Sequence, residues 1–318
     1  MTGPIIDVIR LSSLGDVVLS EPVVSGLRAA FPDACLRFIT RKPYHDLFLA
    51  HPEIERVGTL KDARRWPRAD LVVDLHDRWQ TRLYRWLSPA SRVYRGRGVV
   101  DRVRSVLRLP RRARPAGPEH EAHARAYAVG VTLSEPRLYV TDAWQQIADE
   151  ELHKGPPLPL VVLAPRSAHA TKMWGALHFG ALADTLRHSG VAVRSLVAPE
   201  EVLDLGRLAE LAPPIGLGQG IGVGAAILRR AAVVVSNDTG WGHVAAAVGA
   251  PVVSIFGPTS PERWAPIGPK CRVASLSLPC SPCSDHGQRA CRMPRRACLD
   301  DLPVDQVLAA VRAWLPGC

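Results

Sequence analysis

One pattern, met twice, most constrains how this chain can fold. It is a short apolar run, then a turn of small polar residues, then a stretch with helical apolar spacing. It appears first at Ile5–Leu11 (interrupted by Asp7), Ser12–Gly15 and Asp16–Phe31, where Val17, Val18, Val23, Val24, Leu27 and Phe31 keep helical intervals. Cys35–Thr40 and Leu71–Leu75 are further strand candidates, and a helix around Glu119–Val129 closes this half. Residues 153–159, His-Lys-Gly-Pro-Pro-Leu-Pro, read as a linker. The pattern then restarts. Strands are expected at Leu160–Ala164, Val191–Val197, Val233–Ser236 and Val252–Phe256. Helices are expected at Trp174–Ser189, Glu200–Leu211, Gly240–Val248 and Leu302–Leu315, the last with Pro303 near its start.

Such alternation predicts α/β architecture, with parallel sheets covered by helices. The expected domains are 1–152 and 160–302, joined by the linker 153–159, with a C-terminal helix over 303–318. A length of 318 residues suits two domains. Ligands of such sheets sit beyond the carboxyl ends of the strands, so the loops after strands, around a cleft between two units, are where chemistry is expected.

Composition closes several alternatives. With 47% apolar and 22% charged residues the chain is neither disordered nor collagen-like. No apolar run approaches the ~18 residues of a membrane-spanning helix, and the start lacks a secretory signal pattern. Seven cysteines are too few and too clustered for a secreted disulfide scaffold, so a cytoplasmic protein is expected. The net charge is +10, and Arg78 to Arg114 holds twelve arginines and one acid, Asp101. That stretch fits an anionic partner or a solvated basic face; no nucleic-acid-binding module accompanies it.

Three loops could carry chemistry. The first turn, Leu11-Ser-Ser-Leu-Gly-Asp16, is no glycine-rich pyrophosphate loop, which weighs against a dinucleotide enzyme. It sets Asp16 at the mouth of a helix, as a helix cap or as a general base kept ionised by the helix dipole. The second, Ala164 to Trp174, carries Lys172, one of five lysines, at a helix start where a bound anion would make a cation tolerable; a solvated lysine with Trp174 packed on the domain is the plainer alternative. The third, Ser236-Asn-Asp-Thr-Gly-Trp-Gly-His243, offers the backbone N–H groups of Thr239 and Gly240 to phosphate oxygens, with Asp238 to orient the loop or hold a hydroxyl; Phe256-Gly-Pro-Thr-Ser-Pro261 adds a turn beside it.

Together these blocks resemble the heptosyltransferase family, glycosyltransferase family 9. The matching residues are Arg10-Leu-Ser-Ser-Leu-Gly-Asp16, Thr171-Lys172-Met-Trp174, Ser236-Asn-Asp238-Thr-Gly-Trp-Gly-His243-Val-Ala-Ala-Ala247 and Phe256-Gly-Pro-Thr259. The resemblance implies a GT-B fold, two Rossmann-like domains facing a central cleft, with the acceptor on the N-terminal domain and the nucleotide sugar on the C-terminal one. It implies transfer of a heptose from ADP-heptose, with inversion, to the lipopolysaccharide inner core. By that match Asp16 is the base, and Ser167, Lys172, Trp174, Asp238, Thr239, Gly240 and His243 lie on the donor side. Glu200 or Glu201 falls where an acid meets the adenosine ribose. Ser13, Gly15, Arg78 and Arg97 are the acceptor-side candidates. Arg166-Ser167 departs from the family pattern, which leaves donor identity less constrained than fold.

Such transfer makes the anomeric carbon positive and the leaving phosphate negative. Fixed donors on the diphosphate can do the work of a metal, so no catalytic cofactor is expected. An anionic glycolipid at the inner membrane face, contacted peripherally, suits the arginines; a protein acceptor, another nucleotide sugar, or a binding protein without activity are the alternatives. Cys280-Ser-Pro-Cys283, Cys291 and Cys298 read as a four-thiolate structural site for zinc or iron, or as thiols without a metal. Members of the family that bind iron through four cysteines keep that metal open. His120 and His123 show no third ligand and read as helix-surface or cleft residues.

Overall fold

The computed structural model describes residues 3–94, 120–153 and 158–315. Arg97, most of the arginine-rich stretch beyond it, and linker residues 154–157 lie outside them. The chain divides into two compact units whose boundary falls between Tyr139 and Val140.

In the first unit, β1 (Ile5–Ile9), β2 (Cys35–Ile39), β3 (Arg56–Gly58), β4 (Leu71–Asp74) and β5 (Ala90–Val93) form a parallel sheet in the order β3-β2-β1-β4-β5. The polar break in β1 has a structural cause. Register sets Asp7 opposite Arg37, whose Nε donates to the Asp7 carboxylate at 2.5 Å, and Tyr84 Oη donates to its other oxygen at 2.6 Å. Both members of the ion pair are buried, so each needs the other: a buried charge left alone would cost several kcal/mol. The helix expected over Asp16–Phe31 is two helices, Leu14–Val18 and Glu21–Ala30. Pro22 lies in the first turn of the second, where a missing N–H costs nothing. β3 and β5 carry no strand pattern in the sequence; they are short edge strands, and β5 is almost wholly exposed.

In the second unit, β6 (Leu160–Ala164), β7 (Ala192–Ser195), β8 (Val233–Asn237), β9 (Val252–Ile255) and β10 (Cys271–Ala274) are parallel in the order β10-β9-β8-β6-β7. β8 and β9 are buried throughout, as strands covered on both faces must be. The helix expected from Trp174 begins at Ala176, because Gly175 turns the chain with φ +98°. The helix expected over Glu200–Leu211 is a 3-10 turn, Pro199–Leu205, and a short helix, Leu208–Leu211. Gly206 divides them at φ +51°.

The expected division at residues 152/153 is corrected by packing. Helix Asp142–Leu152 belongs to the second unit, where it lies along helix Gly220–Arg230. A Cβ at Gly222 would come within 2.5 Å of the Trp144 ring, so the absent side chain is what lets the two helices meet. Helix Gly220–Arg230 was not expected from the sequence, since its alternating glycines blur the apolar period. Among the described residues, no helix is long and apolar enough to cross a membrane.

Candidate functional site

Each unit gathers the signalled residues at the carboxyl ends of its central strands. In the first, Ser13 caps helix Leu14–Val18 and Asp16 is its third residue. Ser13 donates to Asp16 Oδ2 from its backbone N–H at 3.3 Å and from its Oγ at 3.0 Å. The helix-capping role considered for Asp16 is therefore real, as the return arm of a capping box. It does not exhaust the residue. Arg10, the residue after β1, reaches Asp16 Oδ1 at 2.8 Å. Arg125, on helix Glu121–Val129, has a fully buried guanidinium that donates to the same oxygen and to the Asp16 carbonyl. Arg125 also lies over the Tyr94 ring and 3.5 Å from Glu121.

Burial opposes the charged form of Asp16, but Arg10 and Arg125, with hydrogen bonds from Arg125 and Ser13, outweigh it and hold the carboxyl well below the usual carboxylate range. The carboxylate is ionised at any working pH, with 16% of its side chain exposed. Two arginines, more than the dipole of a five-residue helix, keep it so. His76, just after β4, is pushed down to about 4 by burial and then by Arg10, Arg78 and Arg41, so its imidazole is neutral at pH 7. Arg10, Arg125 and His76 were not singled out from the sequence. Arg10 was legible only as part of the first motif, and Arg125 lies 109 residues from its partner. Ser13 and Arg78 are exposed and Gly15 half-buried.

In the second unit, three loops converge on Asp238. Thr259 Oγ1 donates to Asp238 Oδ2 at 2.6 Å, and Lys172 Nζ to the same oxygen at 3.1 Å. Ser167 Oγ donates to the Asp238 carbonyl at 3.1 Å. Asn237, fully buried at the end of β8, braces the arrangement: its Nδ2 donates to the Pro165 carbonyl, and its Oδ1 accepts from the Trp174 N–H. Thr239 caps helix Gly240–Ala247, whose first N–H groups have no intrahelical partner and can meet an anion. Gly242 brings that helix onto the sheet, since a Cβ there would stand 2.6 Å from Ser236 Oγ.

Not every expected donor-side residue sits this way. Trp174 is wholly buried in the core and donates from its indole N–H to the Leu302 carbonyl, so it is a packing residue. Lys172 is not at a helix start but at the end of the 3-10 turn Ala170–Lys172, paired with Asp238. Glu200 is exposed; its neighbour Glu201 accepts from the Ala198 N–H and lies 3.5 Å from Arg166. The His243 imidazole is buried.

Cys280, Cys283, Cys291 and Cys298 are thiols that line one pocket of about 450 Å³, together with Pro258, Leu278 and Arg296. Burial and the proximity of Cys283, Cys280 and Cys291 push the Cys298 thiol up to about 11. Among the described residues, no three His, Cys, Asp or Glu side chains stand close enough to ligate one ion as placed. The loop that carries the cysteines is tied to the Asp238 site. Thr171 donates to the Gly287 carbonyl, Arg296 to the carbonyls of Ala170 (2.6 Å) and Met173 (3.1 Å), and Cys283 N–H to the Pro258 carbonyl at 2.9 Å.

The family model for glycosyltransferase family 9 (heptosyltransferase) matches residues 99–293, more than half of the chain. Lipopolysaccharide heptosyltransferase 1 of Pseudomonas aeruginosa is 28% identical over 316 residues, covering 86% of this chain and 84% of that protein. Among solved structures, E. coli ADP-heptose LPS heptosyltransferase II superposes with a TM-score of 0.77 at 20% identity, covering 98% of both chains. TibC of enterotoxigenic E. coli, described as an iron-containing dodecameric glycosyltransferase, superposes with a TM-score of 0.65 at 16% identity, covering 98% of this chain and 78% of that one. Two parallel five-stranded sheets in this arrangement are the GT-B fold, and the chain belongs to glycosyltransferase family 9, a family of glycosyltransferases.

Proposed function

We propose that the protein transfers a heptose from ADP-heptose to a hydroxyl of a lipopolysaccharide inner-core acceptor, with inversion at the anomeric carbon. The observation that carries this reading is Asp16: an ionised, partly exposed carboxylate in the short helix that follows the central strand of the first unit. The names of the relatives support the sugar and the acceptor class.

In this mechanism the bond from the anomeric carbon to the β-phosphate oxygen breaks, and its electron pair leaves with ADP. The acceptor oxygen bonds to the opposite face of that carbon. Its proton passes to Asp16 Oδ2, the oxygen that carries only the Ser13 donors, while Arg10 and Arg125 hold Oδ1. A carboxylate so well stabilised is a weak base. It suffices because a hydroxyl oxygen already bonding to an oxocarbenium-like carbon is a far stronger acid than a free alcohol, which makes proton transfer late. On the donor side, Lys172 and the N–H groups of Thr239 and Gly240 take the charge growing on the diphosphate. Asp238 positions Lys172, sharing it with the diphosphate, and Thr259 fixes Asp238. Ser13 and Gly15 line the acceptor side, and Arg78 and Arg97 meet acceptor anions at the cytoplasmic face of the inner membrane.

The four cysteines line one pocket, and a structural zinc or iron ion that drew their thiolates together would pin the 280–298 loop, a reading supported by that shared pocket and by the iron-containing neighbour. The ion would supply no step in transfer. One equivalent of metal in the purified protein, lost in a quadruple Cys→Ser variant, is the expected result.

The whole reading is tested by incubating the protein with ADP-heptose, or with rival nucleotide sugars, and a core-type acceptor, and reading products by mass spectrometry and anomeric configuration by NMR. ADP-heptose should be the productive donor. Transfer only from another donor would replace the substrate, and donor binding with no transfer to any acceptor would overturn the enzymatic reading.

A further inference from the structure

The helix Trp79–Arg85 wears its apolar residues on the wrong side. Trp79, Leu83, Trp86 and Leu87 are 68%, 50%, 83% and 58% exposed, while Thr81 and Tyr84 on the other side are buried. At 3.6 residues per turn Trp79, Leu83 and the C-cap residue Trp86 fall within an arc of about 60°, and Leu87 follows in the turn that ends the helix. A helix of a soluble domain turns such a stripe toward the core. Single exposed apolar residues are ordinary, but two tryptophans and two leucines in one stripe mark an interaction surface.

The surroundings say what kind. Between Arg56 and Arg92 the chain has nine basic residues and four acids. Of those acids, Asp74 is buried against Arg85, and Asp77 pairs with Arg82 and Arg85. Arg78 and Arg82, both exposed, stand beside the stripe. Trp86 and Leu87 of the stripe also line a pocket of about 340 Å³ together with Trp66, Tyr84, Arg64 and Arg68. Apolar rings flanked by guanidinium groups match a layer that is apolar inside and anionic at its surface. A second copy of the chain would bring like charge against like.

We propose that this stripe and the neighbouring pocket form a docking patch for an anionic lipid bilayer. The indoles enter the headgroup layer, and the arginines meet lipid phosphates. Binding is weak and reversible, since one short stripe buries little area, and it is strongly dependent on salt. The patch does not depend on the donor chemistry proposed above.

The test is flotation of the full chain with vesicles of phosphatidylethanolamine and phosphatidylglycerol, against vesicles of phosphatidylcholine alone. Each arginine near an anionic surface is worth about fivefold in affinity, so the anionic vesicles should bind at least about tenfold more tightly. The preference should fall sharply at about 0.5 M salt. A double variant, Trp79→Ala with Trp86→Ala, should lose about tenfold or more while its unfolding midpoint and its affinity for ADP stay unchanged. Leu83→Glu is a second variant should the double one fold poorly, with the same loss expected. Equal vesicle binding by native and variant chains would overturn the proposal. So would no binding to either vesicle, or a native dimer that the double variant turns into a monomer, which would make the patch a self-interface. ADP affinity and transfer to a water-soluble acceptor read the transferase assignment separately.

Discussion

The two units each hold one candidate carboxylate, Asp16 and Asp238, and they hold it in opposite ways. Asp16 has two arginines on one oxygen, one of them shared with Glu121, and they lock the carboxylate in its ionised form. Asp238 has one lysine and one threonine hydroxyl on one oxygen, so charge is balanced and the lysine can be shared with a second anion. The first arrangement suits a group that must stay in place and take a proton only when the proton is very acidic. The second suits a cation that must answer to an incoming diphosphate. One fold supports both because each group follows a central strand, where loops rather than the sheet choose the partners.

The comparison can be broken, first, at Asp16 itself. Asp16→Ala is expected to lower kcat by about a thousandfold or more with ADP affinity retained, measured by steady-state kinetics and calorimetry. If turnover stays near normal, the carboxylate is only a helix cap. Arg125→Ala leaves Asp16 and Glu121 with less compensation and opens a buried site; a loss of about 3 kcal/mol in denaturant unfolding is expected. The ionised Asp16 stabilises the fold at all pH values above its ordinary value of 3.8, and that contribution is lost only as pH falls below it. Native stability should therefore show no Asp16 titration above about pH 5.

On the other side of the comparison, Lys172→Ala should lower kcat/KM by about a hundredfold and weaken ADP binding as well. Gly287→Ala should act on the same lysine indirectly. The position has φ +82°, and a Cβ there would stand 2.5 Å from Lys172 Cγ, so a rise in KM for the donor of about tenfold is expected, with kcat less affected. The smallest effect is expected at His76. Its folded value is depressed from 6.5 to about 4, so the unfolded chain takes up a proton first as pH falls. Stability is lost between those two values, by no more than about 1 kcal/mol given its partial exposure. His76→Gln should flatten that window in thermal unfolding.

Much of this was legible in the sequence, and the reasons differ by element. The central strands were, because strands buried on both faces read as unbroken runs of Val, Ile and Leu. The edge strands β3 and β5 were not, since half their residues face solvent and carry no pattern. The candidates Asp16, Lys172 and Asp238 stood out because each follows a strand: Asp16 in the short helix after β1, Lys172 in the 3-10 turn after β6, and Asp238 directly after β8. The residues that tune them did not. Arg125 is a buried arginine on an otherwise ordinary Ala-rich helix, and only the tertiary fold brings it to Asp16. Trp174 misled for the opposite reason: it belongs to a functional motif in sequence but to the core in space.

The contact between Gly287 and the stem of Lys172 gives the cysteine-bearing loop a duty that its polar, irregular sequence conceals. It serves as a backstop, built from a segment outside the repeating strand-helix plan, against which the lysine's aliphatic chain rests. Trimming that segment as if it were a decorative insertion would remove one wall of the cation's slot, and the ammonium would lose its aim at Asp238 while the loops of Asp238 and Thr259 stayed intact.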